Sequence, residues 1–213
     1  MSNIVVLDYG SSNLRSVAKA LETVANSDQS IAISNHPDEI LKADKVVFPG
    51  QGAIGQCMTH LKKQELEEVI RECILNKPFL GICLGLQSLM DHSDEDGGVN
   101  GLGVIPGNVV RFSDNQIDEN GDVYKIPSMG WNQVIQKKQH PLWEGIEDRS
   151  RFYFVHSFYV KPELDSDIVG STDYICQYTS AVARDNLFAT QFHPEKSQYD
   201  GLRLLKNFLN WQV

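Results

Sequence analysis

Gly81-Ile82-Cys83-Leu84-Gly85-Leu86-Gln87 sets one cysteine between two glycines where a buried strand gives way to a helix. Upstream, Lys77-Pro78 ends a helix and Phe79-Leu80-Gly81-Ile82 is a short apolar run. Downstream, Leu84, Leu86, Leu89 and Met90 suit a helical face better than strand alternation. A sharp turn from strand to helix exposes its turn residue, and the glycines at 81 and 85 let the backbone pass without side-chain clashes. The Cys83 thiol would then sit at a helix N-terminus, where backbone N–H groups and the macrodipole favour a thiolate. This is the cysteine version of a nucleophile elbow. The competing reading is a buried cysteine acting as a small hydrophobe.

Outward from this turn, strands and helices alternate. Residues 4–7 read as a buried strand, Leu14, Val17, Ala18, Leu21 and Val24 as one helical face, and residues 31–33 as a strand. Residues 45–48 and 79–82 continue as strands with a helix over 65–75 between them, which predicts a parallel sheet covered on both faces. After about Gly103 the pattern changes to strands and turns. Residues 109–112, 131–135 and 152–160 read as strands, and 181–183 hairpins through Asp185-Asn186 to 188–190. Antiparallel strands therefore extend the sheet or form a second one. Residues 201–211 close the chain as a helix that packs Leu202, Leu205, Phe208 and Leu209 inward. The polar stretch 113–122 is an exposed loop turning at Asn120-Gly121.

Far down the chain, Gln191-Phe192-His193-Pro194-Glu195 supplies a base and its orienter. Pro194 pushes His193 into an extended conformation, in which residues two apart point to the same side. Glu195 can then fix the tautomer of His193, freeing the other ring nitrogen to take a proton from a thiol and return it to a leaving group. The order is a Cys83-His193-Glu195 triad. A His-x-Glu pair also occurs in zinc deaminases, but those need a Pro-Cys-x-x-Cys segment that this chain lacks. Acyl transfer further requires donors for an oxyanion. Pro49-Gly50-Gln51-Gly52 follows a parallel strand at the carboxyl edge of the sheet and can supply one, from Gln51 or Gly52. The Leu84 N–H, after the nucleophile, is the other. A phosphate loop is the weaker reading of these glycines, because the complete nucleotide-binding patterns fail here.

With 213 residues and 41% hydrophobic content, the chain can bury one sizeable core, and residues 1–213 read as a single domain without internal repeat. A net charge of -9 argues against nucleic-acid binding. There is no apolar run of membrane length and no basic N-terminal region leading into an apolar stretch, so a cytoplasmic protein with no membrane contact is expected. Cys57, Cys73, Cys83 and Cys176 have neither metal nor redox spacing, and are expected to be reduced thiols.

The elbow, the Pro49-Gly50-Gln51-Gly52 turn and His193-Pro194-Glu195 together resemble the class I glutamine amidotransferases. Five further strings narrow the resemblance: Asp8-Tyr9-Gly10-Ser11-Ser12-Asn13, Ile126-Pro127-Ser128-Met129-Gly130-Trp131-Asn132, Tyr153-Phe154-Val155-His156-Ser157, His193-Pro194-Glu195-Lys196-Ser197 and Lys206-Asn207-Phe208-Leu209. Over nearly the whole chain they are similar to the glutaminase subunits of imidazole glycerol phosphate synthase. The resemblance implies a three-layer, flavodoxin-like α/β fold with a mostly parallel central sheet and added antiparallel strands in the second half. It implies hydrolysis of L-glutamine to glutamate and ammonia through a thioester on Cys83, with no cofactor and no metal. It also implies a heterodimer with a (β/α)8-barrel cyclase. That cyclase uses the ammonia to form imidazole glycerol phosphate and an aminoimidazole carboxamide ribotide in histidine biosynthesis. Activity would stay low until the partner binds its ligand.

Substrate contacts are expected at Gly50 and at Gln87, which lies one helical turn after Cys83. The resemblance adds Glu95 for the substrate ammonium and His156, Ser157 and Phe158 for its carboxylate and backbone. Asn13, Trp131 and Lys196 fall near the carboxyl edge and are the expected partner contacts. One departure stands out: Ser128 precedes Met-Gly-Trp-Asn where the family usually has histidine. It keeps open a paralogous glutaminase feeding ammonia to another synthase, for instance in polysaccharide sugar amidation. A catalytically silent regulatory protein is the other alternative, opposed by the intact Cys83, His193 and Glu195.

Overall fold

A computed structural model describes residues 2–213. The first half alternates β1 (Ser2–Leu7), α1 (Leu14–Val24), β2 (Gln29–Ser34), α2 (Pro37–Lys42), β3 (Lys45–Gly50), α3 (Ile54–Lys63), α4 (Leu66–Asn76) and β4 (Phe79–Cys83). β1, β2, β3 and β4 pair in parallel in the order β2-β1-β3-β4. Every residue of β3 and β4 is buried, as expected of strands covered on both faces. Along β1 the side chains alternate: Ile4 and Val6 pack with Val17 and Leu21 of α1, while Val5 and Leu7 pack with Ile40, Leu61 and Ile70 of α2, α3 and α4. The sheet is the middle layer between two helical ones.

The second half runs through α5 (Leu84–Gln87), β5 (Met90–Ser93), β6 (Val99–Asn100), β7 (Ile105–Arg111), β8 (Ser128–Gln133), β9 (Ile135–Gln136), β10 (Arg151–His156), β11 (Phe158–Pro162), β12 (Ile168–Asp173), β13 (Gln177–Arg184), β14 (Leu187–Thr190) and α6 (Gln198–Asn210). β14 joins β4 in parallel and β13 and β11 follow antiparallel, continuing through β7, β5 and β6. α6 lays Leu204, Leu205 and Phe208 into the same cluster as α1. The expected hairpin is present, with Asp185 at φ 49° and Arg184 opposite Leu187.

Three expectations are corrected. The helix after Cys83 lasts one turn, and Leu89 and Met90 leave it: Ile105 N–H donates to Leu89 C=O and Met90 opens β5 beside β7. The apolar run 152–160 is two strands, because the chain turns at Ser157. β10 pairs with β8 in a separate ribbon while β11 enters the main sheet between β13 and β7. Residues 131–135 likewise divide between β8 and β9, since Val134 pairs with neither strand and turns into the core.

Candidate active site

Cys83 ends β4 with φ 54° and ψ −106°, a conformation that L residues rarely adopt and that positions its thiol at the mouth of α5. Gly85 makes this junction possible, since a Cβ there would lie 1.9 Å from the Phe48 carbonyl oxygen. The thiol-bearing residue is 7% exposed. It opens on a cavity of about 280 Å³ that Gln51, Gly52, Leu84, Gln87, Glu95, His156, Ser157, Phe158 and His193 also line, with Pro127 and Val155. A larger open groove along α1 touches Glu195 but not Cys83 or His193.

His193 Nδ1 donates to Glu195 Oε1 at 2.9 Å, both side chains being buried. The pair does not run along an extended strand as expected. His193 itself is extended, but Pro194–Lys196 forms a 3-10 turn that swings the carboxylate back to the ring. The backbone is fixed from β10: His193 N–H donates to Tyr153 C=O, and the Ser197 hydroxyl donates to His193 C=O while accepting from Tyr153 N–H. With Nδ1 occupied, Nε2 is buried and finds no hydrogen-bond partner among the described residues. Burial pushes the His193 imidazolium down, but the Cys83 sulfur and the Glu195 carboxylate outweigh it and push His193 up to about 10. Cys83 and Glu195 therefore both act on the one imidazole.

The remaining expected site residues separate by what they touch. Gly50 does not line the cavity; a Cβ there would meet Tyr9 Oη at 2.5 Å and Leu84 Cβ at 2.8 Å, so its place is close packing under the elbow. Gln51 reaches the Ser12 hydroxyl, and Gly52 has φ 95° in open space. Glu95 Oε2 accepts from Ile54 N–H at 2.9 Å, at the start of α3. Burial pushes its carboxyl up, opposed by that N–H and assisted by Asp96. His156 spends both ring nitrogens on the protein: Nδ1 donates to Phe158 C=O at 2.8 Å and Nε2 accepts from Tyr178 Oη at 3.2 Å. Burial pushes it down to about 4, so it is a neutral wall of the cavity.

Of the expected partner contacts, Asn13 is buried and accepts from Ser11 Oγ. Trp131 and Lys196 are exposed and meet around one ring: Trp131 packs edge-on against Tyr153, and Lys196 Nζ stands 5.8 Å from the Tyr153 centroid. Ser128 is buried opposite His156 and outside the cavity. Gln191 was quoted in the sequence motif without a role. Its side chain is fully buried, accepts from Gln87 Nε2 at 3.1 Å and donates to Cys83 Sγ at 3.6 Å. Its position two residues before the candidate base His193 in sequence was the one available signal. Among the described residues no group of three or more His, Cys, Asp or Glu is placed to hold a metal ion.

The Glutamine amidotransferase class-I family model matches residues 5–211. Over 212 residues the chain is 51% identical to the imidazole glycerol phosphate synthase subunit HisH of Aromatoleum aromaticum, covering 99% of each. Over 213 residues it is 53% identical to the same protein of Nitrosospira multiformis, covering 100% of this chain and 99% of that one. A putative GMP synthase component from Thermoplasma acidophilum superposes with a TM-score of 0.70 at 21% identity, covering 99% of this chain and 93% of that chain. This last likeness speaks to the fold alone.

Proposed function

Because the chain belongs to the class I glutamine amidotransferases, we propose that Cys83, His193 and Glu195 carry its glutamine hydrolysis in the cavity bounded by Gln51, Gly52 and Gln87. The chain hydrolyses L-glutamine and serves as the glutaminase subunit of an imidazole glycerol phosphate synthase in histidine biosynthesis. The observation that carries the triad assignment is the His193 ring, held through Nδ1 by Glu195 and raised by the Cys83 sulfur.

The Cys83 sulfur attacks the carboxamide carbon, and the oxygen becomes an oxyanion received by the N–H groups of Leu84 and of Gln51 or Gly52. As the tetrahedral centre collapses, the carbon–nitrogen bond breaks and His193 gives its Nε2 proton to the departing nitrogen, leaving a thioester and ammonia. His193 then takes a proton from water, whose oxygen attacks the thioester. Collapse releases glutamate and restores the thiolate, while Glu195 holds the imidazole throughout. Gln87 discriminates at the amide. Both its N–H groups are spent on Phe158 C=O and Gln191 Oε1, so only its own oxygen can face substrate. That acceptor suits the carboxamide NH2 of glutamine and disfavours the carboxylate of glutamate. Glu95 takes the substrate ammonium, and Ser157 and Phe158 its carboxylate end.

Residues 1–213 act as one glutaminase domain. The partner is a (β/α)8-barrel cyclase in a heterodimer that passes ammonia without releasing it to solvent, where it would protonate. Cytoplasmic assembly is in keeping with four free cysteines. The test is glutamate release by the purified chain mixed with the cyclase and its ribonucleotide ligand. Cys83→Ala should lower it at least about a thousandfold with the fold intact, and Glu195→Gln about a hundredfold or more but less than Cys83→Ala. Retained hydrolysis in Cys83→Ala removes the assignment.

A further inference from the structure

The amide of Gln191 lies wholly inside the protein, beyond the reach of the cavity, and yet it ends on the reacting sulfur. Which end of that amide faces Cys83 follows from a carbonyl two residues into the network. The Phe158 carbonyl oxygen can only accept, and it takes one bond from His156 Nδ1 at 2.8 Å and one from Gln87 at 3.0 Å. The Gln87 atom facing it must therefore be the NH2 nitrogen. The same nitrogen reaches Gln191 at 3.1 Å, so Gln191 must present its oxygen there. That fixes the other end: the Gln191 NH2 points at Cys83 Sγ, 3.6 Å away. The donors thus run from Tyr178 through His156 to the Phe158 carbonyl, and from that carbonyl's second donor, Gln87, through Gln191 to the sulfur.

The geometry points to Gln191 as a further catalytic residue, an inference that rests on Cys83 being the nucleophile: its side-chain N–H donates to Sγ, stabilises the thiolate and aims it across the cavity. A residue present only to fill the core would leave this NH2 without an acceptor, since buried donors left unpaired are costly. Here the sulfur is the acceptor. Such a bond strengthens as the sulfur gains charge and weakens once the sulfur is acylated, so it acts on the free nucleophile and not on bound glutamine. The expected signature is on chemistry and thiol ionisation, with little effect on substrate affinity.

The full chain carrying Gln191→Met or Gln191→Glu would be compared with the parent, alone and with the cyclase, in two measurements. The first is the pH profile of Cys83 alkylation by iodoacetamide, mapped by mass spectrometry to separate Cys83 from the other thiols. The second is the division of glutamine hydrolysis between kcat and KM. Gln191→Met keeps the shape and removes the donor. Gln191→Glu keeps both size and the acceptor for Gln87, but sets an acceptor against the sulfur. Both should move the alkylation midpoint upward by about one to two pH units, Gln191→Glu the more, and lower kcat about tenfold to a hundredfold. KM should stay within about threefold. If Gln191→Met loses its fold by circular dichroism, Gln191→Glu decides alone. An unmoved alkylation profile overturns the inference even if activity falls, because the residue is then a packing element, and so does an effect confined to KM. Cys83→Ala measured alongside separates the two levels. If it still hydrolyses glutamine, the nucleophile assignment is what has failed; if it is dead while both Gln191 variants match the parent, only the role of Gln191 has.

Discussion

At His193, burial alone would leave a neutral imidazole; the Cys83 sulfur and then Glu195 reverse that preference, carrying it from 6.5 to about 10. Removing the sulfur should therefore be visible at the base. In Cys83→Ala we expect the His193 titration midpoint, followed by its imidazole proton resonances, to fall below the parent's. The sign for stability follows. A histidine whose folded value is raised contributes fully below its unfolded value near 6.5 and loses that contribution as pH rises toward about 10. Cys83→Ala should lose less of its stability over that window than the parent. An unchanged midpoint would mean that Cys83 and His193 do not interact. The proposed triad was legible because each part is announced locally: glycines flank the Cys83 turn, and Pro194 sets the His193 backbone extended two residues before Glu195. Gln191 was not, because its meaning lies in a hydrogen bond to a residue 108 positions away. The burial of Asn13 was equally hidden, because a motif position near the right edge says nothing of how much surface its side chain keeps.

The element that carries the proposed nucleophile is the junction of β4 and α5, and its tolerance is set by Gly85. A Cβ at that position would lie 1.9 Å from the Phe48 oxygen and 3.0 Å from its carbonyl carbon, both backbone atoms of β3 that cannot swing aside. Gly85→Ala should thus cost about 3 kcal/mol or more in urea unfolding and displace the Leu84 N–H proposed to receive the oxyanion. A variant with parent stability would show that β3 and α5 can separate without penalty. The strands of the parallel half were readable because each is a short apolar run bounded by turn residues, buried throughout in β3 and β4 and largely open to solvent at the edge strand β2. The division between β10 and β11 was not. Hydrophobicity continues through residues 152–160, and the break comes from tertiary pairing: Ser157 C=O accepts from Phe112 N–H, and the His156 ring folds onto Phe158 C=O. The one-turn length of α5 was equally hidden, since Leu89 and Met90 satisfy a helical face as well as they do the sheet that claims them.

Across the whole molecule, the Cys83 elbow and the Gly50 to Gly52 turn emerge side by side from the carboxyl ends of β4 and β3, where open α/β sheets hold their ligands. The alternation of the first half was enough to predict that edge. It could not predict that β8 and β10 would leave the sheet as a separate ribbon, because antiparallel strands with similar patterns can extend one sheet or start another. The ribbon offers a surface for assembly: β8 turns Met129 and Trp131 to solvent, Trp131 packs edge-on against Tyr153, and Lys196, directly after Glu195, stands over the same Tyr153 ring. This exposed aromatic and cationic group adjoins Glu195 in sequence, so a partner docked over it would lie next to the proposed triad. Trp131, 39% exposed, has apolar surface left to bury against a partner. Trp131→Ala should weaken assembly with the cyclase by about 2 kcal/mol, roughly thirtyfold in Kd, as an interface aromatic does. The isolated chain should keep its Tm within about 2 °C, because the Trp131 side chain stands outside both buried clusters. Titration calorimetry and thermal unfolding of the same variant separate the two roles. A large fall in Tm with unaltered affinity would assign Trp131 to the support of the β8–β10 ribbon and move the docking face elsewhere on the carboxyl edge.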